Sequence, residues 1–465
     1  MMHTSPANLT RRVGASCAQT EFSSFSEEVV DRSRYLLLDF LGCAVRGTMT
    51  ESTLPVLRLA ARKCSQDRQI PIIGTAIKSE ASFAALAVGT AAHSLELDDV
   101  VNSGSLHPAV AVIPAALATG YENRCSGAEL LTAIIVGYEL MVKLGIALNP
   151  TAHYRQGFHP TGTCGAFGAA AASAKLLNLT EEQFVYALGI AGSQAAGSLE
   201  FLSDGSFTKR FHAGWAAHSG VVAAELAREG FSGPASIIEG KFGFLHGYSP
   251  ESDPGEVMRN WATPWEVMNT SIKPHACCRY KQGPIDCILE IIKTNEVRAE
   301  EIARVDIAIL DAGFALVAEP AEQKRQPRSV VDAQFSMPFG AALAVLRRDA
   351  SLDRYHADEI DNSEIKRFMK LVNCMRDPEL NKEFPAKWPA RVVIKTTTGK
   401  TFEHQLDYPK GDPENPLSWD EIIAKFSSLA GQVLPEAQCS RIVSLVREVD
   451  QLDDISELAE ALRID

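Results

Sequence analysis

A chain of 465 residues exceeds what one ordinary hydrophobic core organises, so two domains are expected. Its 46% hydrophobic and 22% charged residues are those of a globular protein and leave no stretch resembling a disordered tail. A formal net charge of −13 argues against nucleic acid or an anionic membrane surface as the main partner, while local basic groups can still receive a small anion.

Residues Met1 to Ala18 carry Arg11-Arg12 but no apolar run long enough for a signal peptide. A soluble, cytoplasmic protein is expected, with a mitochondrial location as the alternative, because this stretch lacks acids and carries Arg and Ser. From Phe22 to Trp265 the pattern is helix after helix. Ser24-x-x-Glu27 reads as a capping box opening the apolar-periodic run Val29 to Leu41, and Thr180-x-x-Gln183 as a second one. Further helices are predicted over Ala81–His93, Pro108–Tyr121, Glu129–Leu148, Cys164–Leu177 and Ala213–Glu229, with one strand-like piece at Ile70–Ile73. The Glu129–Leu148 stretch is the most apolar, but Glu139 and Lys143 within it argue against a membrane span. Gly165 to Ala174 is almost free of side-chain bulk, which suits a helix at the centre of a bundle.

The pattern changes after Trp265. Val305–Ile309 and Val392–Thr396 alternate with period two, and Thr398-Gly399 turns the second into Thr401–Leu406 as a hairpin. Helical stretches at Gln282–Asn295 and Pro338–Arg347 lie between them. Pro409 to Pro416 is a turn-rich linker, and Ser418-x-x-Glu421 caps a return to helix. The expected fold is mainly α with an α+β insertion: a large all-helical domain from residues 1–265 and 409–465, and a smaller α+β domain from 266–408. A cleft between two such domains is a usual place for a small-molecule site.

The ten cysteines include no CxxC pair, so they read as reduced, mostly buried thiols rather than a zinc or redox motif. Four segments carry groups suited to chemistry. His93-Ser-Leu-Glu96-Leu-Asp98-Asp99 is followed by His107-Pro108, and a helical spacing would put Glu96, Asp99 and His93 on one face. There His107 is an acid/base candidate that Glu96 or Asp99 orients, or the acids merely cap a helix end; a metal held by His93, Glu96 and His107 is a lesser reading. His159 precedes the Gly/Ala helix, where the helix dipole would keep its ring neutral. Lys209-Arg210 precede the next long helix and could receive a carboxylate, or be a solvated basic turn. Lys273, His275 and Arg279 surround Cys277-Cys278 and suit an anion. No dinucleotide fingerprint, Walker loop, nucleophile elbow, zincin helix or EF-hand loop is present, so no cofactor is expected.

These segments, in this order, resemble the MmgE/PrpD family, which includes 2-methylcitrate dehydratase, cis-aconitate decarboxylase and iminodisuccinate epimerase. The most specific pieces are Glu96-Leu-Asp-Asp99 with Leu106-His107, Gly157-Phe-His159, Thr208-Lys209-Arg210 and Lys273-Pro-His-Ala-Cys-Cys278, supported by Val331 to Phe339 and Pro409 to Pro416. The resemblance implies a helical domain with a smaller lid-like α+β domain, a homodimer, and cofactor-independent chemistry on small di- or tricarboxylates. It also implies catalytic roles for His107, His159, Lys209 and Glu96; substrate binding is expected, from the residues themselves, of Asp99, Lys273, His275 and Arg279. The family's decarboxylases usually carry Asp at the place of Glu96, and one group carries His at the place of Cys278. Those two departures leave the particular reaction open. A lyase acting on a citrate- or aconitate-like acid is the expectation. An epimerase of an amino-dicarboxylate is the alternative, and a catalytically silent binding protein on the same fold is a third.

Overall fold

A computed structural model describes residues 8–65 and 69–464. The chain divides into two compact units, one running up to Thr270 and resuming at Ser418, the other spanning Ser271–Leu417. Helix dominates, with 22 α-helices and sheets of two and four strands among the described residues.

The first unit is built around the small-residue helix Pro160–Leu176, of which every residue but Lys175 is buried. Helices Ala109–Asn123, Gly127–Ala147 and Thr208–Arg228 pack around it. Glycine makes the close crossings possible. A Cβ on Gly168 would stand 2.8 Å from the Met141 Cβ and 2.9 Å from the Gly137 carbonyl oxygen. One on Gly137 would stand 2.8 Å from the Gly168 carbonyl oxygen, so the two backbones touch directly. Helix Gly127–Ala147 is, among the described residues, the one helix long and apolar enough to cross a membrane, and 94% of its apolar window is buried. Its charged groups are answered locally. Glu139 accepts from the amides of Ala262 (2.8 Å) and Glu266 (2.9 Å), and Lys143 pairs with Glu266 at 2.9 Å. Burial, against those amides, pushes the Glu139 carboxyl up to about 7.

Several helix starts follow local signals. Thr180/Gln183 and Ser418/Glu421 form capping boxes. So does Ser126/Glu129, which starts helix Gly127–Ala147 two residues ahead of the expected Glu129. Ser24/Glu27 does not: Ser26 caps the helix Glu27–Gly47 by accepting from the Val29 amide, and Ser24 lies in a preceding 3₁₀ turn. Two serines two residues apart offered equivalent caps, and the one next to Glu27 and Glu28 won. The short strand β1 (Ile70–Pro71) pairs with β2 (Lys78–Ser79).

In the second unit β3 (Ile302–Ile309), β4 (Val372–Arg376), β5 (Ala390–Thr396) and β6 (Thr401–Leu406) form one sheet in the order β4-β3-β5-β6. The predicted hairpin is β5–β6, antiparallel with Ile394 opposite Phe402. Strand β4, parallel to β3, has no sequence signature: only Val372 of its five residues is buried. Helix Gln282–Asn295 packs on β5 and β6 and against helix Met337–Arg347. All ten cysteines are free, eight of them buried.

Candidate active site

The apolar helix Ala81–Ala92 stops where its polar tail begins, with His93 as its C-cap. Ser94, Asp98 and Asp99 carry short polar side chains that compete for backbone groups and favour a loop. Glu96 sits in left-handed backbone at φ 57°, a conformation that costs a non-glycine residue roughly 1–2 kcal/mol. The helical face expected for His93, Glu96 and Asp99 therefore does not form. The sharp turn sends these side chains to different tasks.

Asp98, the acid between them, becomes the hub. Its Oδ2 lies 2.8 Å from His93 Nδ1 and 3.1 Å from His107 Nδ1. His107 Nδ1 also lies 2.5 Å from the Asp99 carbonyl oxygen. Both neighbours of His107 Nδ1 are acceptors, so that nitrogen carries the proton and Nε2 is the ring's second, exchangeable position. His107 keeps 17% of its side chain exposed, whereas His93 and Asp98 are sealed. Asp99 is buried. Its carboxylate accepts from the Tyr138 hydroxyl (2.8 Å) and the Ala109 amide (3.1 Å), closing the start of helix Ala109–Asn123. Burial, with Asp98 and Asp39 adding to it, pushes its carboxyl up to about 8 against those two hydrogen bonds.

His159 is the N-cap residue of Pro160–Leu176 and is buried. Its Nδ1 stands 3.3 Å from Nδ1 of His212, and its ring centroid 5.9 Å from that of His93, which is itself 5.1 Å from His107. Four imidazoles thus form a continuous cluster. Burial first, then the charges of its neighbours including Lys209, holds His159 well below the ordinary histidine range; the same causes bring His212 down to about 4. Both rings are neutral near pH 7, one donating to the other. Phe201 packs at 6.2 Å from the His159 ring and 6.0 Å from the His212 ring.

Lys209 and Arg210 lie inside helix Thr208–Arg228, in its first turn, not ahead of it as expected. A cation there opposes the helix dipole. Glu96 compensates, its Oε1 2.5 Å from Lys209 Nζ, with side chains 8% and 19% exposed. Glu96, His107, His159 and Lys209 are thereby brought together with His93, Asp98 and His212, three residues outside the catalytic set expected from the sequence. His212 was findable: it follows Lys209 by three, one turn along the same helix face.

Lys273, His275 and Arg279 belong to the second unit. His275 Nε2 pairs with Asp286 at 2.9 Å. Arg279 holds both oxygens of Asp412 at 2.5 and 2.6 Å and lies 4.7 Å over the Trp388 ring. Lys273 is buried. Among the described residues no group of three or more His, Cys, Asp or Glu is arranged to hold a metal ion. Glu96, the acid in the conceivable His93–Glu96–His107 set, is directed to Lys209 instead.

The chain matches the MmgE/PrpD N-terminal domain over residues 11–256 and the MmgE/PrpD C-terminal domain over residues 275–451. It is 27% identical to the cis-aconitate decarboxylase-like protein oryM of Aspergillus oryzae, over 98% of this chain and 97% of that protein. It is 27% identical to a cis-aconitate decarboxylase of Aspergillus terreus (94% and 92% covered) and 25% identical to that of Mus musculus (94% and 90%). The chain belongs to the MmgE/PrpD family and is an enzyme of the lyase class.

Proposed function

We propose that this lyase decarboxylates a small unsaturated tricarboxylate of the cis-aconitate kind, with no cofactor. The observation that carries the reading is the Asp98 oxygen shared by His93 and His107, beside an ammonium group on Lys209 and a neutral His159–His212 pair. Decarboxylation needs an anion-holding group and one proton donor. In a cis-aconitate-like acid the carboxylate on the saturated carbon next to the alkene leaves as carbon dioxide. Its electron pair moves through the double bond to the carbon bearing the far carboxylate, and one proton added there completes a dicarboxylate.

Lys209 is suited to hold the carboxylate beside which that charge builds, exchanging Glu96 for the substrate; preorganised charge of this kind is often the largest catalytic contribution. His107 is suited to deliver the proton from Nε2. Asp98, 3.1 Å from its other nitrogen, balances the positive charge while the ring holds an extra proton. His159 bonds to another imidazole rather than to a carboxylate and stays neutral, which fits it to orient the acid by hydrogen bonding rather than to supply charge. The relatives named as cis-aconitate decarboxylases support the substrate class.

The test is incubation of the protein with cis-aconitate, 2-methylcitrate and iminodisuccinate in deuterated water. One carbon dioxide released per cis-aconitate consumed, with one solvent deuteron fixed at carbon, is the expected result. Deuterium entering iminodisuccinate without net conversion, and no carbon dioxide from cis-aconitate, would replace this reading with an epimerase.

A further inference from the structure

The acid loop is held from below by a residue that lies 328 positions further along the chain. Helix Trp419–Ala430, part of the segment that returns to the first unit, packs against helix Glu27–Gly47; a Cβ on Gly42 would stand 3.3 Å from Phe426 Cα. That close approach leaves the Lys425 side chain only 10% exposed. Its Nζ lies 2.5 Å from Asp39 Oδ1 on the facing helix and donates to the Leu97 carbonyl oxygen at 3.0 Å. Leu97 is the residue between Glu96, which pairs with Lys209, and Asp98, which bonds His93 and lies 3.1 Å from His107 Nδ1.

A lysine enclosed to this degree is expensive to charge unless compensated. Burial alone would make the ammonium easier to deprotonate. Asp39 and, at longer range, Asp98 outweigh that effect and hold it above the ordinary lysine range. A neutral hydrogen-bond donor would have held a lone carbonyl at lower cost. The charge is placed under a loop that concentrates three acids within four residues, one of them in left-handed backbone.

We infer that Lys425 is a positioning residue of the active site: by holding the Leu97 carbonyl it fixes the Glu96–Asp99 turn, and through the Asp99 carbonyl oxygen and the nearby Asp98 carboxylate it sets the orientation of His107. Its kinetic consequence rests on the decarboxylase reading; its effect on the loop does not. Lys209 is anchored on its own helix, so loosening the loop disturbs proton delivery more than carboxylate binding.

The experiment compares three full-length proteins: the parent, and two double variants that join Asp39→Asn to Lys425→Met or to Lys425→Gln. The shared Asp39→Asn background avoids leaving a buried aspartate unpaired, and the glutamine retains a donor for Leu97. Relative to the parent, the methionine double variant is expected to lose about thirtyfold in kcat with KM changed less than about threefold. The glutamine double variant is expected to recover about tenfold or more of that loss. Without any substrate, amide hydrogen exchange over residues 95–106 is expected to quicken by about tenfold or more in the methionine double variant and to slow again in the glutamine one. Unchanged exchange in a folded methionine double variant, or a glutamine double variant no better in both measurements, overturns the inference. Should cis-aconitate not be turned over by the parent protein, the exchange measurement alone decides it, and the substrate reading fails separately. If the methionine double variant does not fold, the glutamine double variant is compared with the parent: exchange and kcat within about threefold support the role, and a larger change in either overturns it.

Discussion

Removing the Lys209 ammonium should destabilise the protein by an amount that disappears when Glu96 is neutralised as well. The two groups are 2.5 Å apart with side chains 19% and 8% exposed. At an effective dielectric near 20, two charges at that distance attract by about 7 kcal/mol, most of which is offset by the desolvation of bringing them there. Breaking a fully buried pair from one side costs about 3–5 kcal/mol, and the residual exposure of Lys209 places this pair below that range, at about 2–3 kcal/mol for Lys209→Met. Glu96→Gln leaves an amide oxygen for Lys209 and a cation that reaches water, so about 1 kcal/mol is expected. The double variant loses charge on both sides and should also cost about 1 kcal/mol, giving a coupling of about 2–3 kcal/mol. The assay is urea unfolding of all four proteins at pH 7, followed by helical circular dichroism, a signal that the first unit dominates. Additivity within about 0.5 kcal/mol would show that Glu96 does not hold Lys209 in the resting enzyme.

Acidification from pH 7 to pH 5 should withdraw most of the stability that neutral His212 contributes. His212 is held down to about 4 in the folded chain, against an ordinary value of 6.5, so between those limits the unfolded chain binds the extra proton. Its stabilising contribution is complete above 6.5 and is lost as pH falls toward 4. His212→Asn should therefore flatten the dependence of stability on pH by about 1 kcal/mol per unit across that window; an unchanged slope would contradict the assignment. Asp99 and Glu139, raised to about 8 and about 7, act in the opposite sense and lose stability as pH rises, which is why the comparison uses one variant against its parent. Gly168→Val, which forces side-chain atoms against Met141 and the Gly137 carbonyl, should cost roughly 3 kcal/mol or more by overpacking and backbone displacement, measured as a lowered melting temperature. Dialysis against a chelator should leave decarboxylation within about twofold of its starting rate, since the proton donor and the anion site are both side chains of this chain; loss of activity restored by a divalent metal would overturn the cofactor-free mechanism.

Much of the architecture was legible because it is local. Helices Ala81–Ala92 and Gln282–Asn295 declare themselves by apolar spacing and flanking polar residues, and the β5–β6 hairpin by alternation around Thr398-Gly399. Strand β4 was not legible. It pairs beside β3 by a parallel register supplied by helices in between, and nothing in Val372–Arg376 itself requires that partner. The Asp98 hub was missed for a related reason. Glu96, Asp98 and Asp99 are chemically similar in sequence, and only the left-handed turn at Glu96 decides that one meets Lys209, one meets two imidazoles and one caps a helix. The contribution of Lys425 depends on a chain return that no local pattern records.

The most direct measurement is carbon dioxide release from cis-aconitate by His107→Gln, with binding of a non-reacting dicarboxylate measured on the same protein. Glutamine retains the ring's hydrogen-bonding reach and removes its transferable proton. General acid catalysis contributes about 10²–10⁴-fold, so kcat should fall by at least two orders of magnitude while dicarboxylate affinity, held by Lys209, changes by less than about threefold. Turnover within about threefold of the parent enzyme would mean that the proton reaches carbon from somewhere other than the imidazole seated on Asp98.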